Sequence, residues 1–146
     1  MTEAERLGIE QACRDLIIRF GCLSDTGEYE ASLACFTPDG IWVRGGKPMV
    51  GHDGLMRFFR ARPPGKLTRH LVANMMIDVD GEGSARGLTY FTSYVHDSGS
   101  EALTLPVPLG APFSVGEWHD KFVHTADGWR IAHRETKRLL HRPAGA

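Results

Sequence analysis

The sequence lacks the features that mark several common classes of protein. Its 17 Lys and Arg residues nearly balance 18 Asp and Glu residues, and no basic run occurs, so no nucleic-acid partner and no anionic membrane partner is expected. No apolar run approaches the length of a membrane span. The first six residues lack the basic and apolar regions of a signal peptide, and we expect a cytoplasmic protein.

Cysteine is scarce, and its pattern excludes a disulfide framework. The three cysteines are an odd number and form no Cys-x-x-Cys pair. Each of them, Cys13, Cys22 and Cys35, falls among apolar neighbours in a predicted helix. The sequence therefore predicts buried free thiols in a reducing compartment.

Motifs for metals and phosphates are missing as well. The seven histidines are scattered and form no His-x-His or His-Glu-x-x-His pattern. Residues 81–83 contain two glycines but lie between two predicted strands, whereas a phosphate loop joins a strand to a helix. We expect no metal ion and no cofactor.

Apolar periodicity predicts helices in the first part of the chain and strands in the rest. Apolar residues spaced by three and four predict a helix over 3–24, with shorter helices over 28–35 and from 51 to the prolines at 63 and 64. A short apolar run follows at 41–43. The predicted strands cover 68–79, 85–96, 114–125 and 129–140.

This order predicts a single α+β domain over residues 1–146. The N-terminal helices pack in the concave face of a strongly curved, mainly antiparallel sheet. Such an arrangement forms a cone with a central pocket that is open at one end.

His70 is the most informative residue of the predicted strands. Strand alternation places His70, Val72, Asn74 and Met76 on one face, which joins an imidazole and an amide to apolar neighbours, as in a ligand pocket. The alternative is a histidine that is hydrogen-bonded in the core or at a sheet edge. Its possible partner, Asp25, ends the first helix, although Asp25 followed by Glu28 also fits a helix-capping box.

Four segments carry a resemblance to a known family: residues 19–29, 36–40, 68–74 and 120–134. The order of elements resembles the cystatin-like cone of nuclear transport factor two. The segments resemble its SnoaL-like branch, which includes scytalone dehydratase, bile-acid dehydratases and small subunits of ring-hydroxylating dioxygenases. In those dehydratases a helix-end Asp pairs with a strand His, so the resemblance implies that Asp25 and His70 are catalytic.

The predicted substrate-binding residues combine this resemblance with the expected pocket; they are Phe20, Trp42, Asn74, Tyr90, His119 and Arg134. Arg134 matches an arginine of the bile-acid dehydratases, but it also fits a surface ion pair with Glu135 or Asp127. His119 matches a pocket asparagine of scytalone dehydratase, and a one-residue bulge would reverse its face. Phe20 and Ser24 stand where the dehydratases have pocket tyrosines.

The resemblance implies a small cofactor-free lyase or isomerase. A His–Asp pair would perform acid/base chemistry on a hydrophobic, oxygenated, cyclic substrate. The alternative is a non-catalytic ligand-binding or assembly subunit, similar to the dioxygenase small subunits. Epoxide hydrolysis or carbonyl-directed isomerisation ranks third.

The expected partners are a small hydrophobic molecule and further copies of the chain. The resemblance implies a homodimer or a homotrimer. The loop over 103–112 is unusually apolar for an exposed connection. It fits either a lid over the pocket or a contact between subunits.

Overall fold

The computed structural model describes residues 1–145. This part of the chain forms three helices and six strands. The helices are α1 (Glu3–Thr26), α2 (Tyr29–Leu33) and α3 (Gly51–Arg60). The strands are β1 (Phe36–Arg44), β2 (Lys47–Val50), β3 (Lys66–Gly81), β4 (Ser84–Asp97), β5 (Ser114–Thr125) and β6 (Gly128–His141).

Local sequence signals set both ends of α1. Thr2 caps the start of the helix, since its side chain accepts a hydrogen bond from the Glu5 backbone N–H while the Glu5 carboxylate accepts one from the Thr2 N–H. The helix ends at Gly27, whose φ of 82° lies in the left-handed region that favours glycine. The helix predicted over 3–24 is present and extends to Thr26, which makes Asp25 part of its last turn.

The six strands form one mixed sheet in the order β2-β1-β6-β5-β4-β3. Strands β1 and β6 are parallel, and the other neighbours are antiparallel. The α+β prediction, with helices on a mainly antiparallel sheet, is therefore confirmed. Strand β2 was not predicted: Gly45 and Gly46, both with positive φ, form the turn of a β1–β2 hairpin.

The core lies between α1 and the inner face of the sheet. The ring of Phe20 packs against Phe36, Trp42, Phe59 and Trp118, with centroid distances of 5.2 to 6.4 Å. Three of these contacts are edge-to-face and one is tilted, geometries that are favourable for aromatic pairs. This cluster fixes the end of α1 against the sheet and so positions Asp25.

The three thiols are free but are not alike. Cys13 and Cys35 are buried, as predicted, whereas Cys22 is exposed, so the prediction is wrong for Cys22. Burial, with a smaller contribution from the Asp120 carboxylate, raises the pKa of Cys13 to about 12, and burial also raises the pKa of Cys35. The two buried thiols therefore remain protonated at neutral pH.

A bulge in β3 changes which side chains face inwards. The register against β4 shifts between Val72 and Met75. Because the bulge adds a residue, alternation restarts, and Met75 and Ile77 turn inwards while Asn74 and Met76 are exposed. The prediction that Asn74 and Met76 share the face of His70 is therefore wrong.

The apolar loop over 103–112 does not cover the central cavity. Leu105 and Leu109 are exposed, and the first cavity-lining residue after β4 is Phe113. The lid interpretation is wrong for this conformation, and a contact between subunits stays a prediction. Within residues 1–145, no helix combines the length and the apolar character needed to cross a membrane.

Candidate functional site

A cavity of about 600 Å³ opens inside the cone. It lies between the end of α1, the end of α3 and the inner face of the sheet. Aromatic rings form much of its wall: Trp42, Phe58, Phe59, Phe91, Phe113 and Trp118. Both Asp25 and His70 line it. A cavity of this size and character suits a small hydrophobic molecule.

The carboxylate of Asp25 binds His70 through both of its oxygens. Oδ1 lies 2.8 Å from His70 Nδ1, and Oδ2 accepts the His70 backbone N–H at 2.6 Å. The Asp25 side chain is 4% exposed and that of His70 is 24% exposed. The acid is therefore enclosed, and the imidazole reaches the cavity.

This contact determines the tautomer of the neutral imidazole. An ionised carboxylate only accepts hydrogen bonds, so Nδ1 carries the proton and donates it to Asp25. The other ring nitrogen, Nε2, makes no hydrogen bond to the described part of the chain, and in this tautomer it keeps its lone pair. The ring is thus arranged to accept a proton from a molecule in the cavity.

Thr68 and Arg62 hold the carboxylate in place. The Thr68 hydroxyl donates to Asp25 Oδ1 at 3.0 Å and accepts from Arg62 Nη2 at 3.0 Å. Arg62 Nη1 reaches the Ser24 carbonyl at 3.5 Å. These bonds connect α1, the loop after α3 and β3, so the orientation of Asp25 does not depend on His70 alone.

Two aromatic rings border the imidazole. The centroids of Phe91 and Trp118 each lie 5.7 Å from that of His70. The close approach of Phe91 requires Gly116, because a Cβ there would lie 2.6 Å from the Phe91 ring and 2.5 Å from the Lys137 carbonyl oxygen. The rings shield one side of His70 from water.

The capping interpretation of Asp25 is not realised. The residue that precedes α2 is Glu28, and no side chain caps that helix. The oxygens of Asp25 are instead used by Thr68 and His70.

Among the other predicted binding residues, only Trp42 lines the cavity. Asn74, Tyr90 and His119 lie on the outer face of the sheet, so the prediction that they face the pocket is wrong. Asn74 is turned outwards by the β3 bulge, and Tyr90 and His119 alternate with the buried residues of β4 and β5. His119 bonds Glu117 at 2.7 Å beside a shallow depression of about 380 Å³.

Phe20 and Arg134 lie beneath the cavity wall, and neither lines it. Phe20 belongs to the aromatic core. Arg134 is fully buried and donates from Nε and Nη2 to the two oxygens of Asp120, each at 2.7 Å. Its guanidinium lies 4.1 Å from the Trp118 ring centroid and 4.7 Å from that of Phe20. The prediction that Phe20 and Arg134 contact the substrate is therefore wrong. The alternative of a surface ion pair between Arg134 and Glu135 or Asp127 is wrong as well, because the partner is the buried Asp120.

Sequence reasoning missed the cationic residues of the cavity wall, among them Arg44 and Arg138. A signal for them was present: Arg44 is two residues after Trp42 on β1, and Arg138 is four residues after Arg134 on β6, so strand alternation gives each the inward direction of its neighbour. The sequence has Phe20 and Ser24 where the dehydratases have pocket tyrosines. In agreement with this, no tyrosine is among the described residues that line the cavity.

Several solved structures share this architecture. An NTF2-like protein with a cystatin-like fold from Novosphingobium aromaticivorans is 23% identical, with a TM-score of 0.75 over 98% of this chain and 89% of that one. A candidate scytalone dehydratase from the same species is 15% identical, with a TM-score of 0.78 over 99% of both chains. Hexachlorocyclohexane dehydrochlorinase LinA-type3 from Novosphingobium barchaimii is 14% identical, with a TM-score of 0.77 over 99% and 97%.

No curated protein sequence matches the chain. The structural similarities, all below 25% identity, establish the cystatin-like fold. The family model of the SnoaL-like domain matches residues 5–135, which include Asp25, His70 and the strands β1 to β5. The chain therefore belongs to the SnoaL-like domain family.

Proposed function

We propose that the protein is a lyase that eliminates a small leaving group, such as water, from a hydrophobic, oxygenated, cyclic molecule. His70 acts as the acid/base group, and Asp25 is the residue that positions it. The observation that carries the proposal is the 2.8 Å contact between an enclosed carboxylate and an imidazole on the wall of an open cavity.

The chemistry follows from the tautomer. Nε2 of His70 accepts a proton from a substrate carbon next to an electron-withdrawing group, and the imidazolium that forms is stabilised by Asp25. The C–H and C–O bonds break, a C=C bond forms, and the departing hydroxyl takes the proton from His70 to leave as water. The proton taken from the carbon leaves with the water, so His70 returns to its neutral form and the elimination is redox-neutral overall.

The cavity wall fits the proposed substrate class. Its aromatic rings provide an apolar surface for a cyclic body. The hydroxyls of Ser93 and Ser114, 2.7 Å apart on that wall, offer a hydrogen bond to a substrate oxygen.

Two of the structural neighbours support an elimination by their names, a dehydrochlorinase and a candidate dehydratase. The alternative of an assembly subunit predicts a cone filled by side chains. The open cavity and the Asp25–His70 contact favour an enzyme instead.

A product assay tests this proposal. A panel of cyclic β-hydroxy ketones and β-hydroxy acids is incubated with the protein, and the conjugated C=C product is followed by its ultraviolet absorbance. We expect conversion of at least one member. The matched control compounds carry hydrogen in place of the β-hydroxyl group, so they have no leaving group and should not be converted. Failure with every member, or equal signals from both sets, would contradict an elimination.

A further inference from the structure

The cavity wall carries an excess of positive charge that the acid/base chemistry does not use. Five cationic side chains line it: Arg44, Arg62, Lys66, Arg138 and Arg142. Only two carboxylates face them, Asp25 and Asp97. Asp25 is occupied by His70, and Asp97 accepts the backbone N–H of Gly99 at 2.8 Å.

Arg44 and Arg138 differ from the other three cations because their guanidinium groups lie on aromatic rings. Arg62 donates to Thr68 and Ser24, and Arg142 donates to the Ala111 carbonyl. Within residues 1–145, the side chains of Arg44 and Arg138 make no ion pair and no hydrogen bond. Each lies instead on aromatic rings: Arg44 is 4.5 Å from the Phe58 centroid and 5.2 Å from that of Trp42, and Arg138 is 5.1 Å from that of Phe113.

Stacking on rings fixes a guanidinium and leaves its N–H edge available for a ligand. The two residues are also neighbours across the β1–β6 pairing, where Arg44 is opposite Thr136, two residues before Arg138 on the same strand face. Burial, followed by the positive charges of Arg138 and Arg62, lowers the pKa of Arg44. Arg44 is half-buried, so a second positive charge beside it is unfavourable, and a bound oxyanion would relieve the repulsion.

The position of the pair within the cavity is informative as well. His70 lies on β3 and Arg138 on β6, with β4 and β5 between them. Three interstrand spacings of about 4.8 Å place them roughly 14 Å apart along the curved sheet. The cation pair and the imidazole therefore lie on strands that are not neighbours, and Phe91 and Trp118 lie on the two strands between β3 and β6.

We infer that Arg44 and Arg138 form an anion-binding subsite that holds a carboxylate or phosphate group of the substrate, at the opposite end of the molecule from the carbon that reacts at His70. The inference rests on the proposed function, since it names the substrate class of the same cavity. The substrate is then an apolar ring system with one oxyanion group.

Ligand binding tests the subsite without any turnover. Three ligands with one apolar body are titrated by calorimetry: 4-tert-butylbenzoate, 4-tert-butylphenyl phosphate and the neutral 4-tert-butylbenzamide. We expect at least one anion to bind about tenfold or more tightly than the amide, the effect of one charge-assisted hydrogen-bonded pair. Which anion binds more tightly distinguishes a carboxylate from a phosphate.

Substitutions of the two arginines test whether they cause the preference for the anion over the amide. In Arg44→Gln and Arg138→Gln the ratio between anion and amide is expected to fall below about threefold, while Arg44→Lys keeps part of it. Arg60→Gln on α3 is the matched control, because Arg60 is exposed and is not among the cavity-lining residues; its ratio should equal that of the wild type. Circular dichroism confirms that each variant is folded.

Three results would overturn the subsite. They are equal binding of anion and amide to the wild type, a preference for the anion that survives in the double variant Arg44→Gln with Arg138→Gln, and no binding of any of the three ligands. His70→Gln separates this inference from the proposed function. His70→Gln removes the acid/base group, but it should keep the preference for the anion over the amide. If the preference is lost in His70→Gln and kept in the arginine variants, the anion binds at His70 instead.

Discussion

Replacing His70 by glutamine is expected to lower turnover by roughly 10²–10⁴-fold, the usual contribution of a positioned acid/base group. Glutamine retains a polar side chain of similar reach but cannot shuttle a proton near neutral pH. Because the His70 side chain is 24% exposed and its backbone N–H still binds Asp25, the thermal midpoint should change little. Initial rates on the substrate found in the product assay provide the measurement.

Asp25→Asn is expected to cause a loss of similar size for a different reason. The amide keeps the shape of the carboxylate but presents an NH₂ group in place of one oxygen. If that NH₂ faces Nδ1, the imidazole must accept there, so the proton moves to Nε2 and the lone pair no longer faces the cavity. The change therefore inverts the tautomer without removing the histidine.

His124→Gln is the control for both variants, because His124 is an exposed histidine of β5 outside the cavity. Its turnover should equal that of the wild type. If His70→Gln and Asp25→Asn both unfold, the pair is structural and the catalytic assignment fails. Folded variants with wild-type turnover would contradict it equally.

Removing Arg134 is expected to destabilise the fold more than any other single change to a charged residue. Arg134→Met leaves the fully buried Asp120 carboxylate without its partner, which costs about 3–5 kcal/mol in comparable pairs. The stacking on Trp118 and Phe20 is lost as well. Urea unfolding measures the change, and the total stability of a domain of this size is only about 5–15 kcal/mol.

Two comparisons make this result specific. Arg86→Gln breaks the exposed ion pair with Asp80 and should leave the urea midpoint nearly unchanged. The double variant Arg134→Met with Asp120→Leu removes both buried charges and should recover most of the loss. An Arg134→Met protein as stable as the wild type would contradict the structural role given to this pair.

The elements with strong local signals were predictable from the sequence. The periodicity of α1 and the long β-rich runs of β3 to β6 are repeated over many residues, so a single irregular position does not hide them. The Asp25–His70 contact joins residues 45 apart in the chain, and periodicity does not report such a distance. It was the resemblance to a family that connected them.

Irregular positions account for most of the errors. One extra residue in β3 reverses the faces of Asn74 and Met76, and the apolar sequence around it gives no sign of a bulge. Residues 37–40, Thr-Pro-Asp-Gly, have the composition of a turn, but they lie inside β1, where the register against β6 shifts between Phe36 and Ile41. The same turn chemistry therefore serves a strand irregularity instead of a connection.

Charged residues of the interior were misjudged for another reason. Arginine is most often a surface residue, and its partner determines whether it can be buried. Asp120 is 14 positions before Arg134, directly across the β5–β6 pairing, and only the register of the two strands brings them together. Arg44 and Arg138 have no acidic partner in the described structure, so charge pairing gave no hint of them.

The central claim is that Asp25 holds His70 with its proton on Nδ1, so that Nε2 offers a lone pair to the cavity. Long-range proton–nitrogen correlation spectra of the imidazoles test it directly, at a pH where the ring is neutral and with the His70 signals assigned through His70→Gln. The account predicts a protonated Nδ1 and an unprotonated Nε2 in the wild type, and the reverse in Asp25→Asn. A wild-type ring protonated at Nε2 would contradict it.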